Sequence, residues 1–162
     1  MRRPRPIAIL VIATVGVAML IASAWGQARL VWNFTSSIPI GLYSFEDRPW
    51  SGGDRVALKP SGRLLETLRE AGVLKEGRLL MKRVAAAAND TVCRTGLQVS
   101  VNGVSAAVAR PDDALPQWSG CVQLRPGEVF LLGETENSFD GRYFGITSAK
   151  DIIGPLSSVL TF

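Results

Sequence analysis

A chain without histidine that gathers serine and threonine hydroxyls in one short stretch must find another base if those hydroxyls are to react. The stretch is Asn33-Phe34-Thr35-Ser36-Ser37-Ile38-Pro39-Ile40-Gly41-Leu42-Tyr43. A hydroxyl becomes a useful nucleophile only when its proton is removed, and a lysine can remove it when burial leaves the amine neutral. Lys82 is the candidate, because Leu79-Leu80-Met81-Lys82-Arg83-Val84 sets it inside an apolar run. The plain alternative is a polar loop and a solvated, charged strand edge. Residue types alone leave both readings open.

Elements on either side must place these groups. Ile7 to Trp25 is a run of nineteen residues without a charge. As a helix it would extend about 28 Å, close to the hydrocarbon thickness of a bilayer. Arg2, Arg3 and Arg5 precede it, so the positive-inside rule puts residues 1–6 in the cytoplasm and exports residues 26–162. A cleaved signal peptide ending near Ala22-Ser23-Ala24 is the competing reading, although the run is long for a signal core. Both readings export the domain.

Composition removes several other functions. With the three N-terminal arginines set aside, 15 basic residues of the 18 face 14 acidic ones. No basic stripe with interleaved aromatics remains, so nucleic acid is not an expected partner. Two cysteines and no histidine exclude the familiar zinc sites, and no metal or cofactor is expected. Cys93 and Cys121 either pair in an oxidising compartment or remain two unrelated buried thiols.

The exported part reads as a mainly β domain with one short helix. Strands are expected at Gly41–Phe45, Arg55–Leu58, 79–86, 121–124 and 128–132, and around Ile152 to Leu160. Asn102-Gly103 between two alternating runs, 97–101 and 104–108, is the strongest hairpin signal. Ser61 caps an expected helix to about Ala71, and Gly72 stops it. Short strands at this spacing indicate an antiparallel fold.

Three separated segments carry a resemblance to the type I signal peptidase family, specifically its conjugal-transfer TraF-type branch. Asn33-x-Thr35-x-Ser37-x-Pro39-x-Gly41-Leu42-Tyr43 resembles that branch's serine box, and Leu80-Met81-Lys82-Arg83-Val84 with Asn89-Asp90-x-Val92 is similar to its lysine segment. Gly133-Glu134 through Ser138-Phe139-Asp140-Gly141-Arg142-Tyr143-Phe144-Gly145 is similar to its third element. The resemblance implies the family's antiparallel β-fold behind an N-terminal transmembrane helix. It makes Ser37 the nucleophile, two residues before proline; the mainstream Ser-Met-x-Pro register would point instead to Ser36.

By the same resemblance, Lys82 is the general base, and the Ser37 amide with the Thr35 hydroxyl holds the oxyanion. Ser138 orients Lys82, Asp140 pairs with Arg142 to support that loop, and Gly145 allows close approach beside the site. Asn89, Glu134 and Gly141 depart from the family's usual residues, which leaves Glu134 and Gly141 without assigned roles. The implied function is a serine endopeptidase of the bacterial inner membrane that processes an exported precursor, a conjugative pilin, by cleavage or cyclisation. A general or secretion-specific signal peptidase and a non-enzymatic β-domain scaffold of a conjugation channel are the alternatives. The substrate is expected to lie extended on the strand leading into Lys82, between apolar walls from Ile38, Leu80 and Val84. Shallow pockets there would select small residues at the cleaved position and two residues before it.

Overall fold

The computed structural model describes residues 14–17, 29–73, 78–111 and 115–162. The chain divides into two compact units, residues 1–30 and 31–162. Of the first unit, residues 14–17 are helical. The rest of the expected span from Ile7 to Trp25 lies outside the described residues. Among those described, no helix is long and apolar enough to cross a membrane.

The second unit is built on two antiparallel sheets. A seven-stranded sheet has the order β1-β2-β11-β3-β4-β9-β10, and a four-stranded sheet the order β7-β6-β5-β8. In the large sheet β1 is Leu30–Asn33, β2 Gly41–Phe45, β3 Arg55–Leu58, β4 Leu80–Ala86, β9 Glu128–Leu132, β10 Ile146–Ser148 and β11 Ile152–Thr161. In the small sheet β5 is Thr91–Thr95, β6 Gln98–Val101, β7 Val104–Val108 and β8 Gly120–Gln123. Strands β1, β5 and β10 were not expected from the sequence. Their short runs carry too little alternation, and their partners are remote.

Local chemistry explains the turns that were legible. Asn102 and Gly103 both take positive φ, 51° and 79°, as the tight hairpin between β6 and β7 requires. Asn89 also has positive φ, 76°, a conformation that asparagine tolerates better than most residues. That is how it stands in for the family's glycine.

Helix α1, Gly62–Glu70, buries Leu68 completely in a cluster with Val56, Leu58, Val84 and Leu131. Burial of such a side chain contributes about 2 kcal/mol. The helix stops where Gly72, at φ 64°, lets its own amide return to the Arg69 carbonyl and the Val73 amide to that of Leu68. Ser61 occupies the N-cap position but does not cap with its side chain. Its hydroxyl donates to Asp151 at 2.6 Å instead, tying the helix start to the loop before β11. A second helical turn, α2, spans Gly141–Phe144 and was too short to show a period.

Candidate active site

Three sheet elements and one loop converge near Ser37. Ser37 lies in the turn between β1 and β2, and buried Asn33 shapes that turn. The Asn33 amide donates to the carbonyls of Thr35 at 2.7 Å and of Ile38 and Pro39 at 3.0 Å each. Its oxygen accepts the Thr35 amide at 3.2 Å and the Thr35 hydroxyl at 3.1 Å. Asn33 was quoted in the sequence motif without a role. One buried side chain satisfying five backbone or hydroxyl groups is a physical reason for it to be there.

The Ser37 hydroxyl is 8% exposed as a residue and sits 3.2 Å from the Thr35 hydroxyl. It donates to the Met81 carbonyl at 3.3 Å, one residue before Lys82. Ser36, the rival nucleophile, is exposed. Thr35 therefore stands beside Ser37, where the Ser37 register puts it. To serve an oxyanion, the Thr35 hydroxyl proton must turn away from Asn33.

Lys82 is 2% exposed. On β4 it faces Val56 of β3, and alternation puts Leu80 and Val84 on its side of the sheet. Burial lowers its pKa from 10.5 to about 8; Asp140 pulls it up and Arg142 presses it down. Its ammonium nitrogen donates to the Ser138 hydroxyl at 2.7 Å. Among the described residues no hydrogen bond joins Lys82 to Ser37. The two serines are instead brought together through Gly133: a Cβ at that position would lie 2.1 Å from Ser138 Oγ and 3.0 Å from the Ser37 carbonyl oxygen. The absence of a side chain there lets Ser138, and with it Lys82, crowd against the Ser37 turn.

The loop that carries Ser138 is fixed by a buried ion pair. Asp140 accepts from Arg142 Nε at 2.9 Å and from Nη2 at 2.6 Å, and also takes the Gly133 amide at 2.7 Å. Arg142 then reaches the carbonyls of Thr135 at 2.7 Å and Glu136 at 3.1 Å. Two successive carbonyls of the turn are thus held from one side chain, a use that suits its planar fork.

Two departures from the family pattern acquire reasons. A Cβ on Gly141 would meet the Leu131 carbonyl oxygen and the Phe130 ring at 2.7 Å each, so no serine fits there. Glu134 pairs with Arg55 at 2.6 and 2.9 Å, while its amide donates to the Ser37 carbonyl at 2.6 Å. Gly145 differs from expectation. Its nearest neighbour would be Trp118 at 3.7 Å, so its positive φ of 75°, not close approach, is what calls for glycine.

The three residues expected to wall a substrate pocket are not brought together. Leu80 and Val84 belong to the cluster on the Lys82 face, whereas Ile38 packs with Met81, Ala57 and Tyr43 on the other face. The cause is strand alternation, which sends Met81 opposite to its neighbours. A cavity of about 370 Å³ does flank Ser37, lined by Ser36, Ile38, Pro39, Ile40, Glu134 and Phe162 among others. Cys93 and Cys121 are directly opposite on β5 and β8 and form a disulfide with an S–S distance of 2.06 Å.

Comparison with known proteins gives this geometry a family. The description "Signal peptidase, peptidase S26" matches residues 5–161. "Plasmid transfer protein TraF" of Escherichia coli is 35% identical, over 91% of this chain and 92% of its own length. "Conjugal transfer protein TraF" of Agrobacterium tumefaciens (strain 15955) is 33% identical, over 100% of this chain and 99% of its own. A signal peptidase I from Enterococcus faecalis V583 aligns in structure with a TM-score of 0.42 at 19% identity, covering 69% of this chain and 100% of that one. On its sequence and along nearly its whole length, this chain belongs to the signal peptidase family, peptidase S26.

Proposed function

We propose that the chain is a membrane-anchored serine endopeptidase with a Ser37–Lys82 dyad that processes an exported precursor, a conjugative pilin. The observation that carries this reading is the buried Lys82, with its pKa near 8, hydrogen-bonded to Ser138 in the loop packed on the Ser37 turn. A charged amine cannot accept a proton, and burial supplies the neutral form. Ser37 leaves the Met81 carbonyl by a side-chain rotation and gives its proton to Lys82 as it attacks the substrate carbonyl. The Ser37 amide and the Thr35 hydroxyl hold the oxyanion, and Lys82 returns the proton to the leaving amine. The acyl-enzyme is then resolved by water or, in cyclisation, by an amine of the substrate.

Strand geometry favours an extended substrate. Strand β9 pairs with β4 only from Arg83 to Ala86, so among the described residues Leu80 to Lys82 lack a strand neighbour on that side, where the Met81 carbonyl already meets Ser37. A substrate strand added there gains main-chain hydrogen bonds. Leu80 and Val84 are buried on the Lys82 face, and a substrate side chain that meets this face is expected to be small.

The pilin assignment rests on relatives whose names tie them to plasmid and conjugal transfer. Residues 1–6 in the cytoplasm, 7–25 as anchor and 26–162 in the periplasm complete an inner-membrane topology. The exposed side chains of Trp32, Phe34, Ile40 and Phe162 near the site agree with a membrane surface.

The test is processing of a pilin precursor by Ser37→Ala and Lys82→Ala variants in membranes. Both should lose at least about a thousandfold in rate while retaining the wild-type fold. The wild-type rate should rise about tenfold per pH unit up to about pH 8 and then level. Normal processing by either variant, or a flat profile with chemistry limiting, overturns the dyad. Processing of general exported preproteins but not of pilin would instead identify a general signal peptidase.

A further inference from the structure

The small sheet holds a buried cation for which the mechanism above has no use. Arg94 on β5 is 3% exposed, and among the described residues it forms no ion pair with a carboxylate. Its partners are two backbone carbonyls, Gly96 at 3.0 Å and Arg142 at 2.7 Å. A buried guanidinium without an anion is costly, so its placement calls for a reason. The Arg142 carbonyl belongs to α2, the turn that follows Asp140.

Trp118, in the loop before β8, makes a parallel contact. Its indole N–H donates to the Gly141 carbonyl at 2.9 Å, and its ring meets Phe130 edge-on at 5.9 Å between centroids. Two further links run from the end of β7: the Arg110 amide donates to the Tyr143 hydroxyl at 3.1 Å, and Arg142 reaches the Val108 carbonyl at 3.5 Å. The disulfide lies next to Arg94 at Cys93 and three residues beyond Trp118 at Cys121, joining the strand that carries Arg94 to the strand that follows the Trp118 loop.

We infer that Arg94 and Trp118 are positioning residues of the peptidase site, which grip consecutive carbonyls of Gly141 and Arg142 so that the Asp140–Arg142 pair keeps Ser138 on Lys82. The inference rests on the Ser37–Lys82 reading only for its effect on catalysis. Its geometry stands apart from it. The charged groups felt by Lys82 are Asp140 and Arg142, both in the gripped segment. Releasing the grip loosens the loop, admits water beside the amine and returns Lys82 toward the ordinary lysine range.

The experiment uses the full chain in membranes with Trp118→Phe, which keeps an aromatic ring but removes the donor, and Arg94→Met, with Arg94→Lys as the conservative variant. Lys82 protonation is read directly, by pH-dependent acylation of its amine followed by peptide mass spectrometry, alongside kcat, KM and the thermal midpoint. Wild type should titrate near pH 8. Trp118→Phe and Arg94→Met should titrate at higher pH, lose about tenfold to a hundredfold in kcat and keep KM; Arg94→Lys should recover part of both. An unmoved Lys82 titration in folded Trp118→Phe overturns the inference, whatever happens to the rate. If Arg94→Met does not fold, the Trp118→Phe titration decides. If Ser37→Ala processes normally, the dyad reading fails while the titration still judges the grip.

Discussion

The two sheets divide the labour unevenly. The large sheet supplies the residues of the candidate site: Ser37 between β1 and β2, Lys82 on β4, and the loop after β9. Its strands β3, β4 and β9 are buried along nearly their whole length. In the small sheet β7 and β8 are largely exposed, and β8 is exposed at every residue. What the small sheet buries is Val92, Val99 and Arg94, on the side that meets the large sheet's Phe130 and α2. The contrast teaches that one sheet can carry a candidate site while the other only packs against the turn that supports it.

Three variants test that division, in falling order of effect on stability. The sharpest is Asp140→Ala, which strands Arg142 as a buried, unpaired cation and should cost about 3–5 kcal/mol. Chemical denaturation measures it, and a loss below about 1 kcal/mol would mean that the pair is not what holds the loop. Next is loss of the disulfide. Cys93→Ser with Cys121→Ser should cost about 2–4 kcal/mol, and amide exchange should quicken in 91–95 and 120–123 before it does in 80–86. Uniform quickening across both sheets would erase the distinction between them. Smallest is Gly133→Ala, where a Cβ 2.1 Å from Ser138 Oγ forces that side chain off Lys82. It should cost about 1–3 kcal/mol, whereas Gly52→Ala, with nothing within 4 Å, should stay within about 0.5 kcal/mol.

The sequence disclosed what is decided locally. Asn102-Gly103, Gly72 and the apolar run around Lys82 each announce their conformation within a few residues. The order of the large sheet does not appear in that way, because β11, the last strand of the chain to be reached, inserts between the early strands β2 and β3. Arg94 was passed over because Thr91-Val92-Cys93-Arg94-Thr95 reads as a polar segment, and nothing local says that an arginine there turns inward. Gly141 was read as a departure because the clash that forbids a side chain comes from Leu131 and Phe130, which only the fold brings near. The candidate site residues are visible as types in a motif. Their supports, Asn33 and the Gly133 contact, were visible only as neighbours in space.

The placement of β11 sets a clock on the molecule. It is the one strand bonded to both β2 and β3, so it seams the half of the large sheet that presents Ser37 to the half that presents Lys82. It also follows every other strand in the chain. During synthesis, Ser37 and Lys82 both emerge well before the strand that unites the two halves. A chain still being made therefore holds Ser37 and Lys82 on two half-sheets that β11 has not yet joined.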